Sequence, residues 1–155
     1  MSSRPAICGI TETGGDRMHI RLRHADYEAM IAHARQQAPV EDCGLIGGTL
    51  QDGIKTIEKV FYLTNTDHSP EHFSLDPQEQ FAVVRELRSK GWSLLGNWHS
   101  HPASPSRPSE EDKRLAFDPS ASYLILSLAA DEPVLHSFQV AKDKMVTKET
   151  LELTE

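Results

Sequence analysis

Apolar residues recur at every second position in some segments of this chain and at every third or fourth position in others. This alternation between strand spacing and helix spacing restricts the possible folds more than any other feature of the sequence. Met18, Ile20 and Leu22 alternate with polar residues, which is typical of a half-buried strand. Residues 25–37 instead carry an apolar stripe at helical spacing, which ends at Pro39. Further strand and helix patterns follow through the rest of the chain. The sequence therefore predicts an α/β or α+β fold, with a single mixed β-sheet flanked by helices.

The later segments give the order of the remaining elements. Residues 43–48 are predicted to form a glycine-rich strand, which favours close approach of a neighbouring backbone. The turn Asp52-Gly53 predicts a hairpin from this strand into a second one over residues 54–63. Asp76-Pro77 predicts the start of a helix, and Gly91 predicts its end. The remaining predicted elements are strands at 92–101, 123–129, 134–140 and 145–153 and a short helix that begins at Ser109.

The length of 155 residues is that of one ordinary domain. No internal repeat or linker divides the sequence. Residues 1–17 mix Gly, Thr, Ser and Pro, and we interpret them as an N-terminal tail or a frayed strand. We therefore expect one domain over residues 18–155.

Charge and hydropathy argue against several classes of protein. Sixteen basic and 23 acidic side chains give a net charge of −7, without a basic cluster, so nucleic-acid binding is not expected. The most apolar stretch, residues 123–130, is too short to span a membrane, and the first residues do not resemble a secretory signal. Cys8 and Cys43 form no CxxC pair, so we expect a reduced, cytoplasmic protein. No pattern indicates an oligomeric state.

The segment from Asn97 to Asp112 carries the strongest chemical signal. If it begins on a strand, His99 and His101 project from the same side, about 6.6 Å apart along the strand. Two imidazoles placed in this way can bind one metal ion, and the carboxylate of Asp112 can return from the following helix as a third ligand. Two nitrogens and one oxygen leave the fourth tetrahedral position open for water, as in catalytic zinc sites.

Each part of this segment also has a purely structural interpretation. Two histidines at alternate strand positions are often ordinary polar surface. Ser109 and Asp112 have a spacing close to that of a capping box at a helix start. The two interpretations are compatible, because a cap would place Asp112 at a helix N-terminus where it can also face a metal. Glu41, without further context, is typical of a solvated loop carboxylate.

The combined pattern resembles the signature of a known family. His99-Ser-His-Pro, six further residues and then Ser109-x-x-Asp112 resemble the JAMM, or MPN-plus, zinc metalloproteases. That family also has a glutamate at the mouth of the strand after the first long helix, and Glu41, followed by Asp-Cys-Gly-Leu-Ile-Gly-Gly, resembles that element. The resemblance spans about residues 18–140. It implies the JAMM/MPN domain, whose fold is related to that of the cytidine deaminases.

The resemblance also implies a role for each of these side chains. One Zn²⁺ per chain would be held by His99, His101 and Asp112. Glu41 would act as general acid and base, taking a proton from the zinc-activated water and delivering it to the leaving amine. Ser109 would hydrogen-bond the oxyanion of the tetrahedral intermediate. Cys43 is interpreted as a small core or pocket residue, because a fourth, thiolate ligand would close the site.

Members of this family cleave peptide or isopeptide bonds that follow ubiquitin-like proteins. The short loops between the motif segments resemble those of the small bacterial members, some of which process sulfur carriers and release a C-terminal amino acid. The implied substrate is a small ubiquitin-like or sulfur-carrier protein, whose extended Gly-Gly tail could add to a sheet edge. The alternative is a non-catalytic MPN-type scaffold that binds protein partners. A zinc deaminase is not expected, because the sequence has neither H-x-E nor P-C-x-x-C.

Overall fold

The computed structural model describes residues 19–155, which form seven strands and three helices. The helices are α1 (His24–Gln37), α2 (Pro77–Lys90) and α3 (Glu110–Arg114). The strands are β1 (His19–Arg23), β2 (Cys43–Gln51), β3 (Ile54–Leu63), β4 (Ser93–His101), β5 (Ser122–Ser127), β6 (Val134–Val140) and β7 (Val146–Thr154). The tail predicted for residues 1–17 lies outside the described residues, and one domain over 18–155 stays a prediction.

The strands form one mixed sheet, as the sequence predicts. Their order is β1-β3-β2-β4-β5-β6-β7, and the sheet closes into a barrel because β1 pairs in parallel with both β3 and β7. Strands β4 and β5 are also parallel, whereas the other neighbouring pairs are antiparallel. The pairing of the first strand with the last closes the sheet, and the sequence pattern did not predict this closure.

The two long helices bury their apolar sides against different clusters of strand residues. Neighbouring residues of β2 illustrate this, because successive side chains of a strand point to opposite faces. Ile46 belongs to the cluster that includes Met30 of α1, while Leu45 belongs to the cluster that includes Leu87 of α2. The sheet is therefore flanked by helices, as expected for the predicted α+β class.

Local sequence signals account for the ends of α2. The side chain of Asp76 accepts a hydrogen bond from the backbone N–H of Gln78, and Pro77 occupies the first helical position. Gly91 ends the helix in the left-handed conformation with φ of 71°, which glycine adopts without steric cost. Among the described residues, no helix combines the length and hydropathy needed to cross a membrane.

The antiparallel pair β2–β4 places the predicted catalytic segments next to each other. Cys43, the first residue of β2, lies opposite His99 near the end of β4. Because the strands run in opposite directions, the residues just before Cys43 approach the end of β4. The fold therefore brings Glu41 to the same end of the sheet as His99 and His101.

Candidate active site

Three predicted side chains converge at the end of β4. His99 and His101 point to the same side of the strand, and their Nε2 atoms lie 3.1 Å apart. Asp112, on α3, places its Oδ2 atom 3.2 Å from His99 Nε2 and 3.3 Å from His101 Nε2. Both histidines are buried, and Asp112 is partly buried. The geometry expected from the period of a strand and from the following helix is therefore present.

The spacing of these three atoms fits a tetrahedral zinc ion. Ligands about 2.0–2.1 Å from zinc at tetrahedral angles lie about 3.3–3.4 Å from one another, and the observed separations are 3.1–3.3 Å. Two imidazole nitrogens and a carboxylate oxygen are also ligand types that zinc commonly takes. With three protein ligands, a fourth position faces water or substrate. The donor set and the distances fit a catalytic rather than a structural site.

Neighbouring hydrogen bonds orient two of these side chains. His101 Nδ1 lies 2.8 Å from the carbonyl oxygen of Pro105. When a metal is bound, an N–H at Nδ1 would donate to that carbonyl and leave Nε2 as a bare acceptor, which is the tautomer a metal ligand needs. In the metal-free site, a hydrogen on Nε2 donates to Asp112. Asp112 Oδ2 accepts a hydrogen bond from the backbone N–H of Ser109 at 2.9 Å. The backbone between His101 and Asp112 thus orients both of these side chains.

The capping box predicted at α3 is present. Ser109 Oγ accepts from the backbone N–H of Asp112 at 2.9 Å, and Asp112 accepts in return from the backbone N–H of Ser109. A serine hydroxyl has one donor and two acceptor positions. Because the cap uses only an acceptor position of Ser109, its O–H remains able to donate to a substrate oxygen.

Electrostatics favours an ionised carboxylate among the ligands. Burial raises the pKa of Asp112, but hydrogen bonds from His101 and His99 outweigh burial and hold that pKa well below its ordinary value. Burial lowers the pKa of His99, so its imidazole stays neutral. Burial also acts to lower the pKa of His101, but its hydrogen bonds to Asp112 and Pro105 raise that pKa overall. A negative carboxylate beside two imidazoles attracts a cation.

Glu41 lies before the start of β2 and is almost fully buried, with 4% of its surface exposed. Burial is the main cause that raises the pKa of its carboxyl to about 8. The charge of Asp112 raises this pKa further, whereas His101 lowers it. A bound cation nearby would lower this pKa, and a carboxyl whose pKa lies near the working pH can both take and return a proton. The expectation of a solvated loop residue, which applies without the family resemblance, is wrong for Glu41.

The next residue, Asp42, ties this segment to the ligand strand. Its backbone N–H donates to Ser100 Oγ at 2.7 Å, and Ser100 N–H donates to its carbonyl at 2.9 Å. Its buried carboxylate accepts from the backbone N–H of Cys43 and contacts His33 Nδ1 at 2.5 Å. These bonds fix the backbone next to Glu41 beside Ser100, the residue that lies between His99 and His101. Through its contact with Asp42, His33 has a structural role.

Cys43 is a buried residue that lies close to the site. Its Sγ contacts the carbonyl oxygen of Leu63 at 3.7 Å. Burial, with a smaller contribution from Asp42, raises the pKa of its thiol to about 12. The side chain therefore stays a neutral thiol, in agreement with the interpretation as a core or pocket residue.

The sequence analysis missed the loop of residues 65–74, which covers one side of the site. The ring of Phe73 stacks on His99, with 4.6 Å between ring centroids. His72 Nδ1 contacts the carboxylate of Glu111, the residue before Asp112. The buried side chain of Asn65 lies at the base of the loop. The apolar residues of this polar loop follow no regular spacing, so the sequence does not predict these contacts.

An apolar cavity of about 50 Å³ adjoins the ligands. It lies between the loop, the sheet and α3, and it shares His99 and Asp112 with the candidate metal site. Its apolar lining comes from Phe73, Pro108, Leu115, Tyr123 and Ile125. This cavity can hold a small uncharged group next to the position where a metal would lie.

Comparison with known proteins identifies the family. Residues 24–141 match the family described as prokaryotic homologs of the JAB domain. The chain belongs to this family. The match confirms the JAMM, or MPN-plus, resemblance, and it covers α1 through the end of β6.

Relatives and solved structures agree with this assignment. The CysO-cysteine peptidase of Mycobacterium tuberculosis is 34% identical over 128 residues, which are 82% of this chain and 86% of that protein. A desampylase of Haloferax volcanii is 31% identical over 105 residues, covering 64% and 74% of the two chains. The solution structure of protein DSY2949 from Desulfitobacterium hafniense has a TM-score of 0.81 and 54% identity, covering 88% of this chain and 93% of that chain. The chain is accordingly an enzyme of the JAMM hydrolase type.

Proposed function

We propose that this JAB-family protein is a zinc-dependent metallopeptidase that cuts a peptide or isopeptide bond at the C-terminal tail of a small ubiquitin-like or sulfur-carrier protein. One observation carries the proposal: two imidazole nitrogens and a carboxylate oxygen lie 3.1–3.3 Å apart, with the buried Glu41 at the same end of the sheet. His99, His101 and Asp112 would hold the zinc ion. A bound zinc ion supplies a polarised substrate carbonyl and water of lowered pKa.

The protein's own residues then supply proton transfer and charge stabilisation. Glu41, whose pKa is raised by burial to about 8 and would be lowered by a bound cation, takes a proton from the attacking water and returns it to the leaving amine. Ser109 donates its O–H, which the helix cap leaves free, to the oxygen that becomes negative. Phe73 and the walls of the apolar cavity exclude water from one side of the reacting bond.

The choice of substrate is supported by the names of relatives and by the shape of the site. One relative is named a CysO-cysteine peptidase and another a desampylase. An extended tail ending in Gly-Gly needs little room for side chains, so it can reach ligands that are themselves buried. A reduced, cytoplasmic setting remains part of the proposal, and the buried free thiol of Cys43 is compatible with it.

The test uses a sulfur carrier whose Gly-Gly tail is extended by one amino acid. Glu41→Gln removes the proton acceptor but none of the three ligands. We expect purified wild-type protein to contain about one zinc per chain and to release the added residue. Glu41→Gln should retain zinc and lose about 10²–10⁴-fold in rate, measured by mass spectrometry of the carrier.

The matched control is Glu152→Gln, which makes the same carboxylate-to-amide change at an exposed glutamate of β7. This variant should cleave the tail at the wild-type rate. A fully active Glu41→Gln variant would refute the assigned base. Wild-type protein that binds no zinc and leaves every extended tail intact would refute the function.

A further inference from the structure

Asn65 uses the full hydrogen-bonding capacity of its side chain. It is 6% exposed. Its Nδ2 donates to the carbonyl oxygens of Glu41 at 3.0 Å and His72 at 2.9 Å. Its Oδ1 accepts from the backbone N–H groups of Asp67 at 3.0 Å and Ser74 at 3.2 Å. A longer contact of 3.5 Å joins Nδ2 to the carbonyl oxygen of Ser69. A side-chain amide has two donor hydrogens and two acceptor lone pairs, so both hydrogens and both lone pairs of Asn65 are used.

The backbone of Glu41 depends on this loop for its position. Glu41 lies two residues before β2, so it has no partner in the strand pairing. Its carbonyl accepts from Asn65, and its N–H donates to the carbonyl of Ser69 at 2.9 Å. Both backbone groups of the proposed base are therefore bonded to the 65–74 loop. The position of the Glu41 side chain therefore depends on this loop as well as on the bonds between Asp42 and Ser100.

The same loop contacts both elements that carry the metal ligands. Phe73 stacks on His99 of β4, and His72 pairs with Glu111 of α3. Asn65 holds the backbone on both sides of Phe73, because its side chain donates to the carbonyl of His72 and accepts from the N–H of Ser74. The loop is also closed at its neck by a bridge between Asn65 and Leu75. One side chain thus links the base to both ligand-bearing elements.

We propose that Asn65 is a positioning residue for the reaction, and that it sets the location of Glu41 relative to the metal ligands. The proposal rests on the proposed function for its kinetic consequence. Asn65 touches neither the ligand atoms nor the reacting bond, so it acts through Glu41 and through the 65–74 loop. Misplacement of a catalytic group by about 1 Å can lower a rate by about 10²-fold. The loss should appear mainly in kcat, because Asn65 itself lies neither among the candidate metal ligands nor in the lining of the apolar cavity.

Two variants test this role and separate it from folding of the loop. Asn65→Ala removes all of these side-chain bonds. Asn65→Asp keeps the oxygen that accepts from Asp67 and Ser74 but replaces the group that donates to Glu41. With the extended sulfur carrier as substrate, both variants should lower kcat by about 10²-fold, with KM and zinc content unchanged. Ser74→Ala is the control within the loop, because it removes only the exposed bond from Ser74 Oγ to Asp67, and it should keep the wild-type kcat.

Amide hydrogen exchange provides a readout that does not depend on cleavage. In both Asn65 variants the Glu41 amide should exchange faster, while amides in the centre of β2 keep their protection. The proposal is overturned if the Asn65 variants match Ser74→Ala in kcat, or if their loss comes with an equal loss of zinc. Unchanged exchange at Glu41 also overturns it. Should wild-type protein cleave no tail at all, the proposed function fails, and the exchange result alone decides whether Asn65 holds Glu41.

Discussion

At the residue scale, Ser109 combines a structural and a proposed chemical role in one hydroxyl group. Ser109→Ala removes the cap of α3, which costs about 1 kcal/mol, and the oxyanion donor, which costs about 10²–10³-fold in rate. Ser109→Thr should preserve both the unfolding free energy and the cleavage rate. Ser109→Asp keeps a capping oxygen without an O–H, so it should retain stability and lose activity. Urea unfolding and kcat/KM measure the two effects, and an active Ser109→Asp variant would contradict the assigned donor.

Residues differ in how visible their roles are in the sequence. His99 and His101 could be paired from the sequence because the period of a strand fixes which side they face. Asp112 followed from its distance to a helix start. Asn65 could not be found in this way, because its partners are backbone groups, one of them 24 positions away. Backbone carbonyls have no sequence signature, so contacts to them become visible only in the folded chain.

At the element scale, close packing of β2 against its neighbours keeps the base beside the ligands. Gly44 lies opposite Trp98, and a Cβ atom at this position would lie 1.7 Å from Phe61 O and 2.5 Å from Trp98 Nε1. Gly44→Ala should therefore push β2 away from its partners and lower the unfolding free energy by about 1–3 kcal/mol. Because Trp98 adjoins His99, zinc affinity and kcat should also fall.

The matched variant is Gly91→Ala at the end of α2. Its cost comes from the left-handed backbone, since nothing lies within 4 Å of an added Cβ there. We expect a loss of about 1 kcal/mol in unfolding free energy with unchanged cleavage. Differential scanning calorimetry and kcat/KM on both variants distinguish general destabilisation from displacement of the site. Equal kinetic losses in the two variants would contradict a specific role of the β2 packing.

The elements themselves were largely predictable, but their arrangement was not. The Asp76-Pro77 start and Gly91 end of α2 agree with the structure to the residue, because caps are local. The start of β3 directly after Asp52-Gly53 is likewise determined by a local turn sequence. The parallel pairing of β1 with β3 and β7 joins segments that are distant in sequence. Alternation of apolar residues indicates which face is buried but not which strand is the neighbour.

At the scale of the whole molecule, a buried polar network links four strands of the barrel. Glu149 Oε1 accepts from Ser122 Oγ and Ser137 Oγ, each at 2.7 Å, and Lys55 Nζ donates to Ser122 Oγ at 2.7 Å. All four residues are at most 4% exposed. Burial lowers the pKa of Lys55, opposed by the charge of Glu149. Removing one charge leaves the other uncompensated, which is costly in a buried site.

Glu149→Ala should accordingly lower the unfolding free energy by about 3–5 kcal/mol. Glu152→Ala, in the same strand, breaks an exposed ion pair with Arg21 and should cost less than about 1 kcal/mol. The double variant Lys55→Met with Glu149→Leu should be more stable than Glu149→Ala, because no unpaired charge stays buried. Urea unfolding of the four proteins measures these differences. Equal effects of Glu149→Ala and Glu152→Ala would contradict the role assigned to the network.

The proposed base imposes a pH-dependent cost on the stability of the metal-free molecule. Burial holds the pKa of Glu41 at about 8 in the folded protein, against an ordinary value of 4.5. Below the ordinary value the carboxyl is protonated in both states, and its effect on stability is constant. As the pH rises towards 8, the unfolded chain releases this proton while the folded chain retains it, so folding becomes less favourable. Above about pH 8 the penalty is complete.

Glu41→Gln removes this titration and should make the chelator-treated protein more stable than wild type at pH 8 but not at pH 4.5. The Tm difference between the two proteins, measured across this range with Glu152→Gln as the control, tests the prediction. A Tm difference that stays constant with pH would show that Glu41 titrates as it does in the unfolded chain. The expected result would mean that the substitution that abolishes cleavage also stabilises the fold, because the buried carboxyl serves proton transfer at a cost to stability.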